Sequence, residues 1–398
     1  MIGIIAEFDP FHRGHEYLIQ QARQRYPGQT VAVAMSGHYT QRGGPAAVEP
    51  HARAEMALRC GADLVLELPL PYAISSAERF GWGGVAVLAA AGVDTLCFGS
   101  ECGDSQRLEQ AAVCLERDDF REKLQEFLAK GVSFASARQS AVTALCGEEV
   151  GGVLATPNDL LGVSYLAAIR QQNTGMQVCA IPRVGPAHNA AVTEGGFSSA
   201  SHLRRLLKEG RVEEALALMP QPASAVLERE LGQGNAPAEL SHCERAVLYC
   251  LRRMTEADFL ALPDCSEGLE HRLSRAAQQA NSLEGFYTLA KSRRYAHSRI
   301  RRLTLWAWLG LTQADYPQTL PYLRVLGMNA AGQQVLHDIR KTCPVPILTK
   351  PAVARKLPEE AKRLFLLETR GADLWRLCLP TLEHAEAGQE WKTGVVRV

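Results

Sequence analysis

The chain has 398 residues, 46% hydrophobic and 22% charged, which is ordinary for a folded protein and excludes a disordered or fibrous one. This length exceeds one hydrophobic core, so two domains are expected. The 43 Lys and Arg balance the 43 Asp and Glu, so no overall field attracts nucleic acid or an acidic membrane, and any RNA contact requires a local patch.

The 11 cysteines are scattered and form no CxxC pair, which disfavours both a disulfide framework and a zinc ribbon. The apolar start lacks the basic leader and cleavage site of a signal peptide. No apolar run approaches the roughly 20 residues that span a membrane. We therefore expect a cytoplasmic protein with reduced thiols and no membrane partner.

Short β-branched runs alternate with helical patterns over the first hundred residues, which indicates βαβ units and a parallel sheet of the α/β class. Strands are predicted at residues 2–8, 30–36, 63–69 and 95–100, with a fifth at 177–182. Helices are predicted at residues 15–25, 50–60 and 76–91. Ligands of such sheets bind beyond the carboxyl ends of the strands, where this sequence is polar and rich in glycine.

The segment EFDPFHRGH, residues 7–15, follows the first strand directly and begins the first helix. His12 and His15 lie one turn apart, and Gly14 lets the backbone approach a ligand. The free N–H groups of a helix start favour phosphate, and two imidazoles there can stabilise a phosphate oxygen that gains charge. This segment resembles the HxGH signature of adenylyltransferases and, more distantly, of class I aminoacyl-tRNA synthetases, which implies a Rossmann-like nucleotidyltransferase domain that binds ATP.

The segment FSSASHLRR, residues 197–205, predicts a helix that begins at an N-cap serine. It resembles the ISSTxxR motif of the same superfamily, with Ala200 and Ser201 as departures from the pattern. The resemblance implies that Ser199 and Ser201 bind the β- and γ-phosphates and that Arg204 neutralises the leaving pyrophosphate. We therefore count His12, His15, Ser199, Ser201 and Arg204 as the candidate catalytic residues.

From about residue 211 the pattern changes to amphipathic helices, such as residues 243–253 and 271–280, which predicts a mainly helical C-terminal domain. We place the boundary between residues 1–210 and 211–398. Residues 291–302 contain six basic side chains and no acidic one, which is typical of a surface that contacts a phosphate backbone, although it also fits a merely solvated face. The six are Lys291, Arg293, Arg294, Arg299, Arg301 and Arg302.

The glycine-rich loop MSGHYTQRGGPA, residues 35–46, is too polar for a packing element. Together with residues 53–57, 67–69, 98–101, 157–159 and 181–183, it resembles the tRNA(Met) cytidine acetate ligases, and the resemblance covers the whole chain. That family joins acetate to AMP and then passes the acetyl group to N4 of the wobble cytidine of elongator tRNA(Met). The family commonly has Asn at the positions of Asp9 and His38.

This resemblance implies acetate and elongator tRNA(Met) as partners, a tRNA-binding role for residues 211–398, and no protein partner. ATP is the co-substrate; no carboxylate cluster predicts a dedicated metal site, although Mg²⁺ commonly accompanies ATP phosphates. The positions that the resemblance assigns to ATP are Ile5, Ala6, Glu7, Phe8, Asp9, Pro10, Phe11, His12, Arg13, Gly14, His15, Glu16, Tyr17, Leu18, Gly99, Asn158 and Arg183.

Two alternatives remain open from the residues alone. An adenylyltransferase for a small cofactor precursor would explain both motifs but would leave the helical domain without a task. A noncatalytic RNA-binding protein would have no need for an intact His12, Gly14 and His15. Fold analogy does not separate the ligase from the adenylyltransferase, so that choice depends on the resemblance along the whole chain.

Overall fold

A computed structural model describes residues 1–184 and 197–398. The strands of these residues, in chain order, are β1 (Ile2–Ala6), β2 (Val31–Ser36), β3 (Tyr39–Thr40), β4 (Gly44–Pro45), β5 (Leu64–Leu68), β6 (Thr95–Ser100), β7 (Gln177–Pro182), β8 (Leu323–Met328), β9 (Ile347–Leu348) and β10 (Val396–Arg397).

The α-helices up to residue 232 are α1 (Arg13–Arg25), α2 (Pro50–Arg59), α3 (Leu70–Ala73), α4 (Ala77–Ala90), α5 (Ser105–Glu116), α6 (Asp118–Leu128), α7 (Phe134–Cys146), α8 (Glu148–Gly152), α9 (Pro157–Gln171), α10 (Ala200–Lys208), α11 (Val212–Ala217) and α12 (Gln221–Gly232). Those that follow are α13 (Glu244–Arg253), α14 (Glu256–Leu260), α15 (Leu269–Gln279), α16 (Leu283–Ala290), α17 (His297–Leu309), α18 (Ala330–Ile339) and α19 (Glu359–Arg376).

The main sheet has the strand order β10-β8-β5-β2-β1-β6-β7. The five strands predicted from the sequence are all present and pair in parallel, so the α/β prediction is confirmed. From β1, the next strands of the sheet, β2 and β5, are added on one side. The chain then crosses over, and β6 and β7 are added on the other side of β1. This reversal leaves a crevice beyond the carboxyl end of β1, which is where open α/β sheets bind ligands.

The sheet also contains a strand that the sequence analysis did not predict. Strand β8 pairs antiparallel with β5, and β10 and β9 pair with β8, so the sheet is mixed rather than wholly parallel. All of β8 is buried. Its segment lies among amphipathic helices in the sequence, and its pairing partner is remote along the chain, so local periodicity gives no sign of it.

Several cores hold the chain together. One packs β1, β2 and β5 against α1, α2 and the first helices after residue 200. Another lies among the helices from α13 to α17, where Trp306 is fully buried, and it includes Tyr39 from the glycine-rich loop and Trp375 from α19. The division at residue 210 stays a prediction. No helix in the described ranges is long and apolar enough to cross a membrane.

Candidate active site

The loop after β1 turns sharply into α1. Phe8 adopts a left-handed backbone conformation, with φ of 49°, and ends the strand two residues earlier than predicted. Such a conformation is strained for a bulky residue and is often found at functional sites. His12 then serves as the N-cap of α1.

The two histidines of the HxGH segment form a reciprocal cap. Nδ1 of His12 accepts a hydrogen bond from the N–H of Gly14 at 3.1 Å, and Nδ1 of His15 accepts one from the N–H of His12 at 3.2 Å. Because both Nδ1 atoms are acceptors, each neutral ring carries its proton on Nε2. The two rings are stacked, with centroids 3.6 Å apart. The site therefore presents two adjacent N–H donors of fixed tautomer.

Both imidazoles are neutral over the physiological range. Burial, followed by the positive charges of nearby arginines, lowers the pKa of His12 to about 3. Burial is also the largest cause that lowers the pKa of His15 well below its usual value. Phe8 and Phe11 pack edge-on or tilted against His15, with centroids 4.8 and 5.5 Å away, and so exclude water from one side of the pair.

Helix α10 brings the second predicted motif to the same loop. The predicted N-cap serine is Ser199, and its hydroxyl accepts a hydrogen bond from the N–H of His202 at 3.2 Å. Arg204 donates to the backbone carbonyl of Asp9 and forms an ion pair with Asp9 Oδ2 at 3.2 Å. A second nitrogen of Arg204 donates to the hydroxyl of Ser201 at 3.3 Å. The catalytic residues predicted from the two motifs thus lie together.

The glycine-rich loop closes another side of the site. Arg42 donates to the Ser201 hydroxyl at 3.1 Å, and its Nε lies 3.6 Å from Glu7 Oε2. The other Glu7 oxygen accepts from the N–H of Gln41 at 2.7 Å. Arg53 is fully buried and holds the base of the loop through the backbone carbonyls of Glu7, Gly37 and Val48.

Arg42 and Arg53 are absent from the residues selected by sequence analysis. Both lie in segments on which the family resemblance is based, but the sequence assigned no function to either residue. The available signal for Arg42 was a single cation within a glycine-rich loop after a parallel strand. For Arg53 no local signal existed, because its three carbonyl acceptors come from different parts of the chain.

The ends of β6 and β7 and the start of α9 carry the three remote ATP candidates. Arg183 lies over Gly99, where an added Cβ atom would be 3.2 Å from Arg183 Cγ, so a side chain at Gly99 would press on the arginine. Asn158 donates from Nδ2 to Glu101 Oε1 at 2.5 Å. The buried Asp159 accepts hydrogen bonds from the N–H groups of Glu101 and Cys102 and so fixes the loop after β6.

The residues of the 5–18 segment differ in burial, and some of its side chains make structural contacts outside the site. The buried residues are Ile5, Phe8, Asp9, Pro10, Phe11 and His12, and the half-buried ones are Ala6, Glu7, Arg13, Gly14, His15, Glu16, Tyr17 and Leu18. Arg13 donates to the backbone carbonyl of Ala217 at 3.0 Å, and Tyr17 packs edge-on against Phe197. These two side chains therefore help to hold Phe197 and the end of α11 against α1.

His38, where the family commonly has Asn, lies in a buried polar cluster behind the glycine-rich loop. Its Nε2 is 3.5 Å from Glu390, and its ring packs edge-on against Trp375. Arg324 bridges Glu390 and Glu67, the latter at 2.9 Å. Burial lowers the pKa of His38 well below its usual value, so this histidine is a neutral partner of the cluster. The cluster ties the loop to β8 and to the end of the chain.

The basic residues 291–302 belong to two structural contexts. Residues before 297 form a loop, and the rest begin α17, so the segment is not one helical face. Lys291 and Arg293 are exposed. Arg299 donates to the backbone carbonyl of Asp264 at 2.7 Å, and Arg301 pairs with Glu284 at 3.1 Å.

The remaining two basic residues also lie near acidic partners. Arg294 lies 3.4 Å from Glu267. Burial lowers the pKa of Arg302, and Asp264 is the charge that most opposes this lowering. These acidic groups are remote in the sequence, so the run is less uniformly positive than the sequence alone predicts.

The site as a whole suits a polyanion. The starts of α1 and α10 both contribute to it, and Arg42, Arg183 and Arg204 are the charges that act on the His12 imidazole. No group of three or more His, Cys, Asp or Glu side chains able to hold a metal ion occurs in residues 1–184 or 197–398.

Comparison with known proteins identifies relatives along the whole chain. The model of a family described as HIGH Nucleotidyl Transferase matches residues 1–390. A tRNA(Met) cytidine acetate ligase of Caldanaerobacter subterraneus is 35% identical over 385 residues, which cover 94% of each chain. The enzyme of the same name from Thermotoga maritima is 35% identical and covers 95% of this chain and 96% of its own.

Solved structures give the same result. The crystal structure of Thermotoga maritima TmcAL in its apo form superposes with a TM-score of 0.94, at 32% identity, over 100% of this chain and 99% of that one. A second crystal structure of that protein, bound with α-thio ATP, superposes with a TM-score of 0.91 over the same shares of the two chains.

Proposed function

The chain belongs to the tRNA(Met) cytidine acetate ligase family, within the HIGH nucleotidyl transferases, and we propose that it acetylates N4 of the wobble cytidine of elongator tRNA(Met) at the expense of ATP. ATP is the co-substrate and is converted to AMP and pyrophosphate. Relatives that match more than nine-tenths of the chain favour this function over an adenylyltransferase for a small cofactor precursor. The alternative function would not explain the helical C-terminal region.

The stacked pair His12 and His15 is the observation that carries the proposal. Two neutral imidazoles with their Nε2 protons free of the cap can donate hydrogen bonds to an oxygen of the α-phosphate. Donors of this kind matter most where charge develops in the transition state. Their low pKa values keep the rings neutral, so they act on the phosphate as hydrogen-bond donors rather than as cations.

The first step is adenylation of acetate. A carboxylate oxygen of acetate attacks the α-phosphorus of ATP, and the bond from that phosphorus to the bridging oxygen breaks. The electron pair leaves with pyrophosphate, so negative charge accumulates beside the start of α10, where Ser199, Ser201 and Arg204 are candidates to bind it. The products are acetyl-AMP and pyrophosphate, and no covalent protein intermediate is needed.

The second step is acetyl transfer to the tRNA. The exocyclic N4 amine of the cytidine attacks the acetyl carbonyl, AMP leaves with the electron pair of the broken mixed anhydride bond, and the amine loses one proton. We assign tRNA binding to residues 211–398, with residues 291–302 as candidate phosphate contacts. Lys291 and Arg293 are exposed, whereas the exposed Arg294 is paired with Glu267, so the first two support that assignment best. A basic segment of this kind contributes affinity rather than the choice of anticodon.

The proposal is tested by acetate-dependent exchange of labelled pyrophosphate into ATP. Exchange in the absence of tRNA, and its loss in a His12→Ala variant that still unfolds in one cooperative transition, would support the first step. Exchange that does not require acetate, or a fully active His12→Ala variant, would contradict it. Arg59→Ala, at an exposed ion pair on α2, provides a matched control.

A further inference from the structure

Arg42 lies at the tip of the β3–β4 hairpin, between the two motifs of the proposed ATP site. We propose that Arg42 is a further catalytic residue, which binds the β- and γ-phosphates of ATP and stabilises the departing pyrophosphate together with Arg204. The inference rests on the proposed use of ATP. It adds a phosphate ligand from a loop outside both motifs.

The contacts of Arg42 place it on the leaving-group side of the site. Its Nη1 donates to Ser201 Oγ at 3.1 Å, and the same hydroxyl accepts a hydrogen bond from Arg204 Nη2 at 3.3 Å. Two guanidinium groups thus converge on one hydroxyl at the start of α10. Glu7 and Asp9 each pair with one of these cations, and a phosphate bound beside Ser201 would further offset their mutual repulsion, which favours an anion at this position.

The counter-ion of Arg42 suggests how a phosphate would be accepted. Glu7 Oε2 lies 3.6 Å from Arg42 Nε, which is longer than a direct hydrogen bond, while Glu7 Oε1 is used by the N–H of Gln41. Burial raises the pKa of Glu7 and lowers that of Arg42, but the Arg42 side chain is still 42% exposed and so is accessible to a ligand. A phosphate oxygen can therefore reach the Arg42 guanidinium and replace its long contact with Glu7 by a charge-assisted hydrogen bond.

The β3–β4 hairpin packs against α17 and α19. Gly43 has a φ of 83°, and an added Cβ atom would lie 2.5 Å from Arg301 Cβ and 2.7 Å from the backbone nitrogen of Arg302. The Tyr39 hydroxyl also donates to the carbonyl of Gly371 at 3.1 Å. Helix α17 and α19 therefore set the position of the loop that carries Arg42. Such support pre-organises a catalytic side chain.

The required chemistry is a stabilisation of leaving-group charge. When acetate attacks the α-phosphorus, the bridging oxygen departs with the electron pair of the broken bond, and pyrophosphate gains the negative charge that acetate brought. A charge-assisted hydrogen bond is worth roughly 1.5–3 kcal/mol, equivalent to about 10–150-fold in binding or rate. Arg42 should contribute an effect of that size to ATP and pyrophosphate, and little to AMP, which lacks both outer phosphates.

The test compares binding of ATP, inorganic pyrophosphate and AMP by calorimetry in the full-length protein, Arg42→Ala, Arg42→Lys and the control Arg59→Ala. Arg42→Ala should weaken ATP and pyrophosphate binding by about 10-fold or more and leave AMP binding within about twofold. Arg42→Lys, which keeps the charge but loses the planar fork, should recover part of the loss. Arg59→Ala should match the unaltered protein for all three ligands.

Unchanged pyrophosphate affinity in Arg42→Ala, or an equal loss for AMP, would overturn the proposal. Thermal unfolding identifies a variant that has lost its fold, in which case Arg42→Lys decides the question. Acetate-dependent pyrophosphate exchange separates this inference from the proposed function. If the protein binds pyrophosphate through Arg42 but shows no acetate-dependent exchange, Arg42 remains a phosphate-binding residue. The proposed adenylation of acetate would then be wrong.

Discussion

Asp9 and Arg204 are 195 residues apart in the sequence and are joined by two interactions, one to the Asp9 carboxylate at 3.2 Å and one to its backbone carbonyl. The carboxylate of Asp9 also accepts a hydrogen bond from the N–H of Ala47 at 2.6 Å. One buried side chain therefore links the HxGH loop, the glycine-rich loop and the start of α10. Loss of this link should affect the fold and the site together.

The first prediction concerns Asp9. Asp9→Ala should lower the free energy of unfolding by about 1–3 kcal/mol, because the buried N–H of Ala47 loses its acceptor, and should reduce ATP affinity by releasing Arg204. Asp9→Asn retains the Oδ1 acceptor and should lose much less of both. Chemical denaturation and calorimetry with ATP provide the measurements. Equal effects of the two substitutions would show that the hydrogen bond to Ala47 is unimportant.

The second prediction concerns the protonation of His12. An unfolded imidazole takes up a proton near pH 6.5, whereas the folded His12 does so only near pH 3. The stability contributed by neutral His12 is therefore fully present above pH 6.5 and falls by about 1.4 kcal/mol per pH unit as the pH decreases towards 3. Nitrogen-15 NMR should find the Nε2–H tautomer and no titration between pH 5 and 8. A midpoint near 6.5 would contradict the site geometry.

The third prediction concerns the basic segment. Lys291→Ala combined with Arg293→Ala should weaken tRNA binding and reduce its salt dependence by about two counterions, while pyrophosphate exchange without tRNA stays unchanged. Arg340→Ala with Lys341→Ala removes the same charge from another exposed site and is the control. Equal salt slopes for the two double variants would remove residues 291–293 from the RNA surface.

The same experiment refines what Arg299 and Arg301 are expected to do. Their substitution by Ala should also weaken tRNA binding, but Arg299 supports the Asp264 turn through two donors. A melting curve is therefore needed beside the binding curve for that pair. A lower melting temperature with an unchanged salt slope would assign the pair to structure alone.

The fourth prediction concerns the buried cluster behind the loop. Arg324→Met should lower the free energy of unfolding by about 3–5 kcal/mol, because Glu67 and Glu390 would remain buried without their cation. Arg211→Ala, in a solvent-exposed ion pair, should leave the midpoint of denaturation nearly unchanged. A similar small effect for both variants would mean that the cluster is neutralised by protons rather than by Arg324.

Much of the fold could be predicted because its signals are local. The five parallel strands follow from β-branched runs between helices, and the serine N-cap of α10 follows from residue type next to a helical pattern. Strand β8 could not be predicted, since it pairs with β5 across more than half of the chain. The Arg42 contacts with Glu7 and Ser201 were hidden for the same reason, because the three residues come from separate segments.

The central claim is tested most directly by the fate of acetate. Purified protein is incubated with ATP and radiolabelled acetate, with and without elongator tRNA(Met), and the products are separated. The account predicts labelled acetyl-AMP in both mixtures and labelled N4-acetylcytidine only when the tRNA is present. Folded protein that binds ATP but labels neither product would contradict the ligase and favour an adenylyltransferase for a small cofactor precursor.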